Sequence, residues 1–278
     1  MGTRDIRSGP TAGPRAVGPS RGGVDRRRLP SYAAGEMDVG FVIAARTEAV
    51  SRDTFWEEHS HPTHELLWND RGASWATIGR RVWMITPAAA LWIPAGTPHS
   101  GWVPAGTTHR AAQFGVRAVA QISDEPTTVE ATTLLRLLLD RLDADDLDSR
   151  ARARTEAMVL DLLTPTQHEP ILRVPESSLL DPIVTTVYEN PADATTLAAW
   201  AARLGVSPRT LTRAFRSETG VGFSRWLAAA RVRHAIVMLA RGDEVDEVAA
   251  RVGYNSASAF GAAFRRVTGE SPGRFRAR

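Results

Sequence analysis

Apolar positions along this chain change period twice. Between residues 37 and 122 they come in short runs, at 41–45, 65–68, 74–78, 82–86, 90–93 and 111–116. Turn-forming residues separate the runs: Asn69, Asp70, Arg71 and Gly72; Gly79 and Arg80; Pro94, Ala95 and Gly96. Short runs at this spacing predict the strands of a sandwich or barrel. From 126 to 164 the period becomes helical, through Leu134, Leu135, Leu138 and Leu142, then Met158, Val159, Leu162 and Leu163. Two helical stretches are predicted there, whose leucines cover the barrel or each other. Residues 165–178 lie in a proline-bearing stretch and read as a linker. Residues 179–278 are helical again. Residues 1–36 show no period; the first 30 are rich in Gly, Pro and Arg, and the segment reads as a disordered leader, a basic arm toward DNA or a dispensable stretch before a true start at Met37.

The C-terminal segment holds a duplication. The pattern A-x-x-x-G occurs at Ala201 and Gly205, followed by Val206 and Ser207, and again at Ala249 and Gly253, followed by Tyr254 and Asn255. The small alanines allow two helices to cross closely, and the glycines suit a tight turn at positive φ. Ser207 and Asn255 are predicted to cap the helix that follows, with Pro208 in its first position. Leu211, Ala214 and Phe215 form an inward stripe, as do Ala259, Phe260, Ala263 and Phe264. The outward face of the first unit carries Arg209, Thr210, Thr212, Arg213 and Arg216. Such a helix fits the major groove of DNA. One copy of the pattern is equally compatible with a plain helical bundle; two copies on one long helix point to a DNA reader.

On these residues, continued through Leu197, Leu204, Gly220, Arg231, Leu239, Ser258, Phe264, Gly269, Pro272 and Arg276, residues 181–278 resemble the DNA-binding domain of the AraC/XylS family of transcription regulators. The resemblance implies seven helices in two helix-turn-helix units, with 224–240 as a rigid connector. Two reading helices on one rod would enter successive major grooves, about 34 Å apart. One departure bears on specificity. The second reading helix exposes Ser256, Ala257, Ser258, Gly261 and Ala262, and alanine and glycine make no bidentate base contacts. Unequal halves are expected: base readout mainly through Arg209, Thr212 and Arg213, and phosphate grip in the second unit mainly through Ser256, Arg265 and Arg266, with Asn255 and Ser258 also expected to bind DNA.

Charge separates the same segments. The chain has 34 basic residues, all arginine, and a net charge of +3. Residues 181–278 hold 14 Arg against 9 acids, while residues 31–180 hold 13 Arg against 20. A basic reader is thus joined to an acidic module that is not one. There is no cysteine, which excludes disulfides and thiolate metal sites. No run of about 18 apolar residues appears, so no membrane partner is expected and a cytoplasmic protein is.

The strand-rich region carries a second constellation: His59, His61, His64 and Glu65, then Pro94, Gly96 and His99. Residues two apart on a strand share a face, so His59 and His61 can point inward together, with His64 outward. The order resembles the two short motifs of the cupin barrel, H-x-H-x(3)-E and P-x-G-x-x-H. That resemblance implies that His59, His61, Glu65 and His99 meet inside the barrel and hold one divalent transition metal (Zn, Fe, Mn or Ni) or else contact an organic effector. The glycines that usually open the two motifs are replaced by Asp53 and Ala88, and the closing asparagine by Val103. His109 lies outside the motifs and reads as a surface-loop residue. Of the six tryptophans in this region, most are expected in the core and some in a ligand cavity.

The fold expected is two-domain: an N-terminal all-β, jelly-roll-like cupin barrel with following helices, then an all-α domain with two helix-turn-helix units. The function expected is a sequence-specific transcription regulator whose barrel senses a small molecule or metal and alters binding to double-stranded DNA. A homodimer is a further expectation, as is RNA polymerase as partner of an activator. The alternative is a metal-dependent cupin enzyme of dioxygenase or isomerase type with a DNA-binding appendage.

Overall fold

The computed structural model describes residues 23–119, 122–144, 146–166 and 171–276; the first 22 residues of the expected leader lie outside them. The strands are β1 (Asp25–Arg27), β2 (Ile43–Ala49), β3 (Thr54–His59), β4 (His64–Arg71), β5 (Ser74–Ile78), β6 (Arg81–Ile85), β7 (Ala89–Ile93), β8 (His99–Val103), β9 (Thr108–Phe114), β10 (Thr127–Glu130) and β11 (Ile171–Arg173). They form a six-stranded sheet, β1-β3-β8-β5-β6-β11, and a five-stranded sheet, β10-β7-β4-β9-β2. Strand alternation sorts the side chains. From β4 and β7, Leu67, Leu91 and Ile93 pack with Trp83 and Ile85 between the sheets. Their neighbours Leu66, Trp68, Ala90 and Trp92 face the other way.

That outward face is covered by α1 (Thr133–Asp143) and α2 (Ser149–Leu162), through Leu135, Leu139, Leu142 and Val159. Thr132 and Asp148 cap the two helices by accepting from Leu135 N and Ala151 N. Leu134, Leu137 and Met158 remain exposed.

Three expectations are corrected. The leader is not wholly disordered: β1 runs parallel to β3, and Arg27 pairs with Glu48 at 2.6 Å and lies over the Trp56 ring. The helical region opens with a strand, β10, which pairs with β7. The linker contains β11, which extends the six-stranded sheet beside β6. Each is too short to show a period of its own; pairing partners, not local sequence, make it a strand.

Seven helices follow: α3 (Asp181–Glu189), α4 (Leu197–Arg203), α5 (Pro208–Thr219), α6 (Phe223–Ala240), α7 (Val245–Arg251), α8 (Ala257–Thr268) and α9 (Pro272–Phe275). α6 is buried nearly all round and contacts α3, α5, α7, α8 and α9, so it is the axis of the domain. The reader's core continues into Trp75, Val82, Met84 and Leu172 on the outer face of the six-stranded sheet. At that junction Arg241, at the end of α6, pairs with the buried carboxylate of Asp53 at 2.7 Å.

Candidate functional site

β3 and β8 are paired with His59 opposite His99, after a register irregularity between Trp56 and His59. His61 follows just past the end of β3. The three imidazoles converge, with ring centroids 4.4 to 5.4 Å apart. One ring nitrogen from each lies within 4.8 Å of the others. Two rings are held from behind: His59 Nδ1 lies 2.7 Å from the Glu57 carbonyl and His99 Nδ1 2.9 Å from that of Thr97. Those bonds assign the proton to Nδ1 and leave Nε2 as a lone pair facing the cluster.

Glu65, on β4, closes the group. Its oxygens lie 3.4 Å from His61 Nε2 and 3.3 Å from His99 Nε2. Gln113 donates to Oε1 at 2.7 Å, while the fully buried Oε2 has no partner in hydrogen-bonding geometry. Burial pushes the Glu65 carboxyl up, but the facing imidazoles outweigh it and hold it well below the usual carboxylate range. Burial holds His59 down at about 4 and lowers His61 as well. For His99, burial opposes the charged form, but Glu65 outweighs it and raises the pKa. Three converging imidazoles, with the Glu65 carboxylate beside His61 and His99, form a donor set that fits a borderline divalent metal.

The group lies in a cavity of about 530 Å3 between the sheets, which Trp56, Gln113 and His109 also line. That volume is within the range of small-molecule sites. His109 corrects the surface-loop reading: it sits on β9, 3.0 Å from Asn69 Oδ1, and burial lowers it to about 4. β9 begins three residues before the apolar run at 111–116, and alternation through 109, 111 and 113 is the signal that reaches both His109 and Gln113. His64 faces outward, stacked on Trp92 and accepting from Ala95 N at 3.1 Å. Of the six tryptophans in the strand-rich region, Trp56 and Trp75 line the cavity, while Trp68 and Trp92 lie in the core under α1 and α2.

In the reader, Gly205 and Gly253 adopt φ of +66° and +83°. Ser207 caps α5, accepting from Thr210 N at 3.1 Å, and also bonds the Thr210 hydroxyl. Arg209, Arg213 and Arg216 are exposed, and among the described residues they form no ion pair. Other reader arginines are held, such as Arg251 by Asp243 at 2.8 Å. Thr212 is half-buried, its hydroxyl bonded to the Pro208 carbonyl.

The second unit corrects two assignments. Ser256, not Asn255, caps α8, accepting from Ala259 N at 3.2 Å. Ala259 is exposed rather than inward, while Phe260, Ala263 and Phe264 are buried. The turn after Gly253 is one residue longer than that after Gly205, so the reading helices repeat at 49 residues while the glycines repeat at 48. On that offset Arg265 matches Arg216, and Ser258 matches Arg209. Asn255, Ser258 and Arg265 are exposed; Arg266 is too, but it borders the seam with the barrel.

Residues 41–169 match the family described as the AraC-like ligand binding domain, and residues 200–278 match the helix-turn-helix domain. The HTH-type transcriptional regulator NimR of Escherichia coli K12 is 30% identical over 252 residues, covering 87% of this chain and 89% of its own length. RipA of Corynebacterium glutamicum, also an HTH-type transcriptional regulator, is 42% identical over 108 residues, 37% of this chain and 33% of its own. Among solved structures, ToxT from Vibrio cholerae O395 is 10% identical with a TM-score of 0.36, covering 84% of this chain and 96% of its own. Among the described residues, no helix is long and apolar enough to cross a membrane.

Proposed function

The chain belongs to the AraC family of HTH-type transcriptional regulators, and from that premise we propose that its barrel is a metal-dependent receptor. It is a DNA-binding regulator with a ligand-binding domain. His59, His61 and His99, with Glu65, would hold one divalent transition metal of the Zn, Fe, Mn or Ni group. A bound metal would supply a Lewis-acidic attachment point for an oxygen- or nitrogen-bearing effector. The remaining cavity, lined by Trp56 and His109, would take the effector's body. The observation that carries this reading is the convergence of His59, His61 and His99, two of them held by Nδ1–carbonyl bonds, beside a buried Glu65 carboxylate whose Oε2 has no hydrogen-bond partner. The relatives' naming as regulators favours sensing over turnover.

On DNA, α5 would read bases through Arg209 and Arg213, which form no ion pair among the described residues, while α8 would grip phosphate through Ser256, Ser258 and Arg265. A homodimer would use the exposed Leu134, Leu137 and Met158. RNA polymerase is the further partner of an activator, and the cytoplasm its compartment. Elemental analysis of purified, untagged protein tests the receptor. About one equivalent of transition metal, lost in His61→Ala/His99→Ala, is expected; no metal in folded wild type refutes the metal and leaves the histidines as polar contacts for an organic effector.

A further inference from the structure

The seam between barrel and reader is not filled. A cleft of about 240 Å3 opens against the outer face of the six-stranded sheet. Val82, Met84 and Leu172 form one wall, Trp226 and Ala229 of α6 the other, and Arg233 of α6 lies at its back. Arg173, Arg225 and Arg266 also border the cleft, and among the described residues no carboxylate lines it.

Arg233 is the unusual element. It is 5% exposed, its Nε has no hydrogen-bond partner, and among the described residues no acid pairs with it. Its guanidinium lies between the rings of Trp75, at 5.4 Å, and Tyr188, at 5.6 Å. A buried charge without a counter-ion is costly, and ring faces offset only part of that cost. A planar guanidinium at the back of an apolar slot matches a carboxylate in geometry as well as charge.

We propose that this cleft is a second ligand site, outside the barrel, that takes a small carboxylate with a flat apolar body. The carboxylate pairs with Arg233 and the body lies between Met84 and Ala229. The cleft is smaller than sites for drug-sized molecules, which begin at about 300 Å3, so a one- or two-ring acid is the right scale. Such a ligand touches barrel and reader together and therefore favours the docked arrangement of the two over any other.

The test titrates full-length protein with benzoate and 2-naphthoate, against benzamide and inorganic phosphate, by calorimetry and thermal melting. At least one carboxylate is expected to bind and raise Tm, with benzamide at least tenfold weaker. Arg233→Met should melt at or above wild type, since an unpaired buried charge is gone, yet lose carboxylate binding at least tenfold. Ala229→Phe should lose it equally with Arg233 in place, and His61→Ala/His99→Ala should keep it. The proposal is overturned if neither acid binds wild type, or if Arg233→Met and Ala229→Phe bind as wild type, which would put the ligand in the barrel. It is also overturned if benzamide or phosphate binds as well as the acids, or if Arg233→Met melts far below wild type, which would make the guanidinium a packing element only.

Discussion

The two turn glycines of the duplicated reader have the same sign of φ but different surroundings, which predicts unequal responses to one substitution. At Gly205 an added Cβ meets nothing within 4 Å; at Gly253 it would lie 2.9 Å from Ala192 Cα and 2.7 Å from Arg231 Nη2. Arg231 has little freedom to yield, because its guanidinium bonds the carbonyls of Pro191, Asp193 and Gly253 at 2.9 to 3.2 Å. Gly205→Ala should therefore cost only the left-handed backbone term, about 1 kcal/mol. Gly253→Ala adds an overpacking term against fixed backbone, for a total of about 3 kcal/mol. At about 2 to 4 °C per kcal/mol, Tm should fall by about 3 °C in the first variant and about 10 °C in the second. Scanning calorimetry of the full-length variants reads this directly. Equal falls, or a larger fall for Gly205→Ala, would refute the argument that backbone approach rather than φ alone sets the cost at Gly253.

Ser207→Ala and Ser256→Ala should each destabilise by about 1 kcal/mol as lost helix caps, and Asn255→Ala by less than about 0.5 kcal/mol, in urea titrations; a reversed order for Ser256 and Asn255 would restore the shorter second turn. His234 in α6 is buried and held at about 4 by burial and the adjacent Arg233, so the unfolded chain binds its proton more readily. Its contribution is complete above the ordinary histidine value of about 6.5 and lost as pH falls toward 4, about 3 kcal/mol in all; His234→Gln should flatten stability in that window by that amount. Asp53→Ala leaves Arg241 and the Ala105 N–H without their shared acceptor. With Arg241 partly exposed, a loss of about 1 to 2 kcal/mol is expected in thermal melts, and no change would show the junction to be indifferent to this pair.

Period and spacing exposed the long elements because each has a stripe to bury. The strands from β4 to β7 and β9 show apolar runs for that reason. β3 and β8 escaped the apolar count because each has a histidine among its cavity-facing positions, and β8 also a glycine; the motif spacing revealed them instead. β1, β10 and β11 have three or four residues each, and only the neighbouring strand specifies them. The misplacement of Asn255 has a sharper cause. Alignment from the turn glycines imposes a repeat of 48, whereas Leu211 and Phe260, Phe215 and Phe264, and Gly220 and Gly269 all repeat at 49. The buried phenylalanines and the C-capping glycines, which are left-handed at +74° and +81°, set the helix register; the turn absorbs the extra residue.

The departures from the cupin pattern also acquire a physical reason. Asp53 and Ala88 stand where the barrel motifs usually open with glycine, and both face the reader. Asp53 joins the Ala105 N–H to Arg241 just past α6, and Ala88 lies 4.0 Å from where a side chain on Gly269, at the end of α8, would begin. Close by, a side chain on Gly106 would come within 3.0 Å of the Ala240 carbonyl, so that loop is held against the same helix end. The four inward positions keep competent donors, while the positions that changed lie at the edge where the barrel meets the ends of α6 and α8. β3 runs from Asp53's neighbour Thr54 to His59, so one strand links the domain junction to the imidazole cluster. A ligand that shifts β3 at its His59 end acts on a short, paired strand whose other end is tied to the axis of the reader. Coupling between sites requires an element that both can bias, and β3, joined to the end of α6 through Asp53 and Arg241, is one such element.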